Sequence, residues 1–376
     1  MKKIAIIGSG IAGLSLANLL KDNLKYKFTI YEKESILNLS EGYGIQLSVN
    51  SISILNKMGF NKIKDSEKYN PTKIDFYGNN NKKICSSDLS IFNTSDKKYT
   101  TLKRSTLIKF LKDELFSDSI KFSKKLSSVE HINKKFKIKF DDNSVDEVDY
   151  LFISDGVFSY SKTIIEKKKI EPNYFGAVAI RTLISPDNAS FMNFNNISLI
   201  MYPKAHIVLY PVNKQQEINV VCIIRKKLGN KESDKQILEK TFLRENEDLK
   251  KLFEGKLKSW PIYTSANPIN TKYKNIFYIG DAFFSLPPTM AQGASQSIEA
   301  AYELFQLLAS NTNDIQKIYF KYRKARTIQI KKRSNLNYFA FHISHFSLIF
   351  IRNAIMKILV KNKYFIENYL GKVFRK

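Results

Sequence analysis

Several residue types that often mark a site are scarce in this sequence. Its 376 residues include only two cysteines, Cys85 and Cys222, far apart. That excludes a disulfide framework or a Cys-x-x-Cys metal knuckle and fits a reducing cytoplasm. The four histidines, His131, His206, His342 and His345, lack metal-ligand spacing with carboxylates or cysteines, so no metal is expected. No stretch reaches the roughly 18 uninterrupted apolar residues of a convincing transmembrane helix. Acids are also few: 35 Asp and Glu stand against 61 Lys and Arg, a formal charge of +26. Such an excess suggests nucleic acid, an anionic membrane surface or an anionic substrate. Yet only 9 of the 61 are arginines, the residue that planar bidentate recognition prefers, and lysines scatter through every segment. A compositional bias with a solvated basic surface is the simplest reading, and no nucleic-acid partner is expected.

What is present is a globular chain. Hydrophobic residues make up 43% and aromatics 13%, too many for disorder, and the length suits two or three folding units. The opening Met-Lys-Lys and the apolar run Ile4 to Ile7 imitate a signal peptide. Glycines interrupt that run and no small-residue cleavage site follows, so a strand, a turn and a helix explain it better. Lys3 to Ile7 reads as a buried strand, Gly8 to Gly13 as a tight turn, Leu14 to Leu20 as a helix and Phe28 to Glu32 as a second strand. This unit places Gly8, Gly10 and Gly13 in a G-x-G-x-x-G turn, with Glu32 about 20 residues on. The turn, including Ile11 and Ala12, lets backbone N–H groups at a helix start approach a pyrophosphate, and Glu32 can accept from ribose hydroxyls. An acid there disfavours a ribose phosphate, so FAD or NAD is expected before NADP.

Further along, Lys103 to Leu115 reads as a helix introduced by Arg104, and Lys121 to Ile153 as a small meander. Runs such as Ala177 to Leu183, Ile197 to Tyr202, Ile207 to Val212 and Ile218 to Ile224 suggest an antiparallel sheet. Asp155-Gly156 follows one strand and Gly280-Asp281 another, and a long helix begins near Gln292. With these segments in view, the sequence resembles the FAD-dependent aromatic hydroxylases, single-component flavoprotein monooxygenases of the para-hydroxybenzoate hydroxylase type. The resemblance spans Gly42 to Gly59, Gly176 to Arg181, His206 to Val221, Trp260 to Ala300 and Tyr322 to Arg326. Pro287 to Ala300 (PPTMAQGASQSIEA) looks closest to the salicylate and hydroxybenzoate hydroxylase branch. It implies that Asp281 binds the ribityl chain of FAD, that Asp155 and Gly156 serve FAD and NAD(P)H, and that Arg104 contacts FAD. By the same resemblance, Gly280, Gln292 and Gly293 belong to the cofactor site, and Pro288 lies in the segment over the flavin. His206 and Tyr210 would bind and deprotonate a phenolic substrate.

The residues alone leave alternatives open. His206 on an apolar strand is equally a structural histidine; as a base it would have a pKa near 6.5. Arg181 either holds a substrate carboxylate or pairs with an internal acid. Trp260 and Cys222 read as packing residues. Phe284 stands where relatives often carry histidine, Ala300 replaces an expected aspartate, and Lys162 replaces an arginine. The stretch from Asn337 to Lys376 is apolar, aromatic and basic; it either packs as a terminal helix pair on the FAD domain or lies on an anionic membrane surface.

The expected fold is α/β, with a Rossmann-like FAD domain around a parallel sheet, an antiparallel-sheet substrate domain and a helical C-terminus. The expected FAD domain comprises 1–70, 100–168 and 264–335, the substrate domain 71–99 and 169–263, and the basic tail 336–376. The expected activity uses FAD, NADH or NADPH, and O2 to hydroxylate an aromatic small molecule, phenolic or heteroaromatic, through a flavin hydroperoxide. Alternatives are a membrane-associated hydroxylase or epoxidase of an isoprenoid or quinone precursor, and a non-catalytic FAD-binding protein. A cytoplasmic monomer or homodimer completes the expectation, with peripheral contact to the inner face of the membrane through the tail left as the open alternative.

Overall fold

A computed structural model describes residues 1–374 except 38, 40–42, 190–191, 194, 216, 243–245 and 311. Gly42, Arg375 and Lys376, which fall in segments singled out above, lie outside the described residues. A five-stranded sheet runs in the order Ile276–Tyr278, Tyr150–Ile153, Lys2–Ile7, Tyr26–Tyr31, Ile120–Lys121, and its neighbouring strands are parallel. Alternation along Lys2–Ile7 sends Ile4 and Ile6 into a core with helices Ile11–Leu20 and Gly293–Ala309. It sends Ala5 and Ile7 into a second core with Phe136, Ile138 and Phe140, because successive strand side chains face opposite ways. That second layer is the expected meander, built of Leu126–Ile132, Lys135–Phe140 and Val145–Val148. Tyr150–Ile153, read as its last strand, instead joins the parallel sheet, where all four of its residues are buried.

The large sheet has seven strands, ordered Lys258–Thr264, Asn173–Ile184, Ile218–Arg225, Ala205–Pro211, Ile197–Tyr202, Lys73–Tyr77 and Lys83–Asp88. It is antiparallel except for one parallel pairing, Ile197 to Ile200 beside Ile74 to Tyr77. One face packs Ile207, Leu209, Val220 and Cys222 against the short helices Asp234–Thr241 and Glu247–Leu252. The other face carries Arg181, His206, Val208 and Tyr210 into a cavity. Cys222 is buried as expected.

The helix Ile315–Phe341 runs unbroken through residue 336, where the tail was expected to start. The last described segment folds back on it: Arg333 donates to the Asn368 carbonyl at 2.9 Å and Tyr369 to Asn337 Oδ1 at 2.6 Å. Ile366, Val373 and Phe374 are buried with Phe92, Tyr99 and Tyr210 and also with Val49, Met290 and Ile330, so the chain's end packs between the substrate sheet and segments of the expected FAD domain. Helix Phe346–Leu359 lies outside this packing: of its residues only Arg352 is buried. No described helix is long and apolar enough to cross a membrane.

Candidate active site

Three distant segments converge at the ends of the parallel strands, where open α/β sheets bind ligands. Gly8 has φ +100°, and a Cβ there would sit 2.8 Å from the Ser154 carbonyl oxygen; one on Gly13 would lie 2.2 Å from the Gly8 oxygen. Ser154 Oγ donates to the Ile7 and Gly8 carbonyls at 2.8 and 2.9 Å, tying the turn to the neighbouring strand. Helix Ile11–Leu20 opens at Gly10 with no side-chain cap and no acid in its first turn, which leaves N–H groups and the positive end of the dipole for an anion. Glu32 Oε2 accepts from Ser9 N and Oγ at 2.8 and 2.6 Å, so the acid lies against the same turn. Gly280 has φ +60°, and a Cβ there would stand 2.9 Å from the Ala12 Cβ, which brings Asp281 beside the helix start.

Electrostatics join the remaining residues to this cleft. The Asp281 carboxyl is reachable from the open cleft yet ringed by protein. Burial pushes its pKa up to about 6 against the opposing pull of Lys162 and Arg104. Lys162 is buried, and burial lowers its pKa while Asp155 and Asp281 raise it. Asp155 Oδ2 accepts from Ser161 Oγ at 2.7 Å, Oδ1 has no partner, and burial raises its pKa. Gly156 has φ +86° with open space beyond it. Gln292 is buried with Nε2 unpartnered at the start of helix Gly293–Ala309, which has no side-chain cap. Before it, Pro288–Met290 forms a 3-10 turn and Ala291 takes φ +51°, a left-handed conformation uncommon outside glycine.

Asp281, Pro288, Gln292 and Gly293 border a cavity of about 750 Å³ whose far wall holds Arg181, His206 and Tyr210. Most of its other walls are apolar. The Arg181 guanidinium lies 5.6 Å from the Trp260 ring centroid and its buried Nε has no partner. Trp260 is therefore a half-buried platform for a cation, where packing alone was expected. Tyr210 is buried and its hydroxyl is pushed up to about 12 by burial, with Arg181, Gln46 and Asn219 acting the other way.

The base expected at His206 looks different in place. Its Nδ1 lies 2.7 Å from His342 Nε2, and Arg225 Nε donates to His342 Nδ1 at 3.3 Å. An acceptor at His342 Nδ1 puts that ring's proton on Nε2, so His206 Nδ1 accepts and His206 carries its own proton on Nε2. Burial pushes His206 to about 3 and, with His206 and Arg225 adding to it, His342 to about 2. The expected pKa near 6.5 is thus corrected: His206 is a neutral donor and a weak base. Among the described residues no group of three His, Cys, Asp or Glu is placed to hold a metal ion.

Sequence reasoning missed a buried cluster beneath the cleft. Glu299 accepts from Arg323 at 2.9 Å, Arg326 at 2.8 and 2.9 Å and Asn50 at 2.6 Å, while Arg326 also binds the Lys372 and Val373 carbonyls. Two guanidiniums around one acid join the helix under the cleft, the long helix and the chain's end. Phe284, where a histidine is usual, is simply buried in the second core.

The fold and this site define a dinucleotide-binding flavoprotein. The glycine cradle that a Cβ would fill, the uncapped helix start and the orphaned polar atoms of Asp155 and Gln292 all fit a flavin dinucleotide. Residues 1–330 match the FAD binding domain family, and the chain belongs to it. It is 23% identical to the 3-amino-4-hydroxybenzoate 2-monooxygenase PtnB3 of Streptomyces platensis, over 91% of this chain and 89% of that one. To the 6-hydroxynicotinate 3-monooxygenase of Bordetella bronchiseptica it is 24% identical, over 81% and 82%. The fold is similar to Klebsiella pneumoniae HpxO complexed with FAD and uric acid, with TM-score 0.86, 17% identity and coverage of 99% and 96%. It is also similar to a salicylate hydroxylase substrate complex, with TM-score 0.79, 17% identity and coverage of 100% and 97%. The chain is an FAD-dependent monooxygenase of the aromatic hydroxylase type.

Proposed function

We propose that the protein hydroxylates a phenolic or hydroxylated heteroaromatic substrate bound against Tyr210 and Arg181, with NADH or NADPH as reductant and O2 as oxidant. The observation that supports this most is one cavity reaching from the Asp281, Pro288 and Gln292 segments to that polar pair across apolar walls. In this reading Gly8, Gly10, Ile11, Ala12 and Gly13 hold the pyrophosphate, and Glu32 releases Ser9 to take ribose hydroxyls. Asp155, Gly156, Gly280, Asp281, Arg104 and Gly293 line the rest of the cofactor's path. Bound FAD supplies the oxygen-transfer chemistry; the chain binds, orients and excludes water.

Arg181, braced by Trp260 and with Nε unpartnered, favours the ionised form of a phenol or carboxylate. Tyr210, which stays protonated near neutrality, donates a hydrogen bond to that oxygen. His206 contributes an N–H and no lone pair, which favours a substrate acceptor at its position. Pro288 and the strained Ala291 shape the wall facing the ring. Substrate-stimulated NAD(P)H oxidation by the FAD-loaded protein, over phenolic acids, heteroaromatics and lipophilic phenols, tests the reading. Stimulation with hydroxylated product is expected; a protein that stays colourless after FAD reconstitution contradicts it.

A further inference from the structure

Helix Phe346–Leu359 combines an apolar sequence with an exposed position. Phe346 is 83% exposed, Phe350 71% and Ile358 68%. Leu336 and Phe339, on the last turns of the preceding helix, and Tyr364 just beyond are exposed as well. A helix apolar on all sides is normally buried in protein or lipid, and a contiguous apolar patch of this kind marks an interaction surface. Arg352, the charge in the middle of the helix, turns inward and donates to the Ala340 carbonyl at 3.1 Å, so it does not interrupt the outer apolar face, and the other charge, Lys357, lies exposed in the last turn.

The cavity opens on this face. Leu336, Phe339, Leu348, Ile351 and Ile355 are exposed and also line the cavity, so they form its rim. Apolar walls continue inward from there to Arg181 and Tyr210.

We propose that this face docks on an anionic lipid bilayer and that the cavity draws a lipophilic aromatic substrate from it. This deepens, and rests on, the hydroxylase reading above. Charge selects the occupant: from Ile315 to Lys376 the sequence has fifteen Lys and Arg and a single acid, Glu367. Lys357, Lys361 and Lys363 are exposed around the apolar face. Anionic headgroups complement this arrangement, whereas a second copy would press one lysine-rich face against another, each chain carrying +26. The helix has 14 residues, about 21 Å at the usual rise, and the hydrocarbon core is about 30 Å thick. It lies in the plane of the surface, its apolar side chains among the acyl chains and its lysines at the headgroups.

The test is flotation of the FAD-loaded full-length protein with phosphatidylcholine vesicles, with and without phosphatidylglycerol, at low and high salt. Binding is expected only with the anionic lipid and is expected to fall with salt. Replacing Lys357, Lys361 and Lys363 with Glu should weaken it by on the order of 100-fold or more. The variant Phe346→Ser/Phe350→Ser/Ile358→Ser, outside the cavity lining, should lose vesicle binding while keeping its flavin spectrum and turnover of a water-soluble phenol. It should also lose its advantage on a long-chain alkylphenol embedded in anionic vesicles. Absence of wild-type binding at low salt, or unchanged binding by the serine variant, overturns the proposal. So does a wild-type dimer that becomes monomeric with those serines and ignores vesicles. Flotation needs no turnover, so binding without hydroxylation would count against the enzyme reading alone.

Discussion

Two apolar helices in this molecule meet opposite fates. In Ile11–Leu20 the side chains of Leu14, Leu16, Ala17 and Leu20 are almost wholly buried between the parallel sheet and the helix Gly293–Ala309. In Phe346–Leu359 the largest apolar side chains face outward. Similar composition therefore does different work: the first helix is held by this chain's own core, and the second presents apolar surface that the chain does not cover. The contrast also separates what holds the cofactor end together from the exposed apolar surface at the rim of the cavity.

Each region offers a way to break or sharpen that contrast. The largest effect is expected from Gly13→Val, because even its Cβ would meet the Gly8 carbonyl at 2.2 Å. Backbone has to move, and loss of flavin absorbance with a collapse of thermal stability is expected. Glu299→Ala comes next: it removes the acid shared by Arg323 and Arg326, leaving them Glu303, Gln296 and two backbone carbonyls, and breaking such a buried pair costs about 3–5 kcal/mol. Denaturant unfolding should show that loss, whereas a change under about 1 kcal/mol would make the cluster incidental. The contrast is tested directly by a pair, Leu16→Ala and Phe350→Ala. The first should cost about 2–5 kcal/mol and the second stay within about 0.5 kcal/mol. Equal losses would mean that the tail helix is packed in the free protein.

The remaining effect concerns acid. His206 and His342 are held near 3 and 2 in the folded protein against about 6.5 unfolded. Between those values the unfolded chain binds more protons, so the pair makes stability fall as pH drops below about 6.5. Asp281, raised to about 6, acts with the opposite sign because its folded form holds a proton longer. His342→Gln should flatten the acid loss of melting temperature between about pH 6.5 and 4; an unaltered slope would remove the histidine pair from the explanation.

These regions also differ in how readable they were. The glycine turn and Glu32 announce themselves because a ligand at a strand end needs particular residues at short spacing, whereas Arg104, Asp155 and Asp281 are legible only through the resemblance to the aromatic hydroxylases. The structure does bring them to one cleft. What escaped depends on partners that no local pattern announces, in two cases more than a hundred residues away. Ser154 bonds to Ile7 and Gly8, and His206 meets His342 across 136 positions, which turned an expected base into a donor. Trp260 became a platform only because the sheet register sets its strand beside that of Arg181. The tail's apolar and basic pattern was plain, but whether protein covered it was a question of packing that periodicity does not answer.

The most direct measurement of the central claim is isotopic. FAD-loaded protein, NADPH or NADH and a phenolic substrate are incubated under labelled O2, and the product's oxygen is analysed by mass spectrometry. One labelled atom in a new ring hydroxyl, matched by consumption of the reductant, is the predicted result. Reductant consumed with all label recovered as hydrogen peroxide across every ring substrate tested would contradict it.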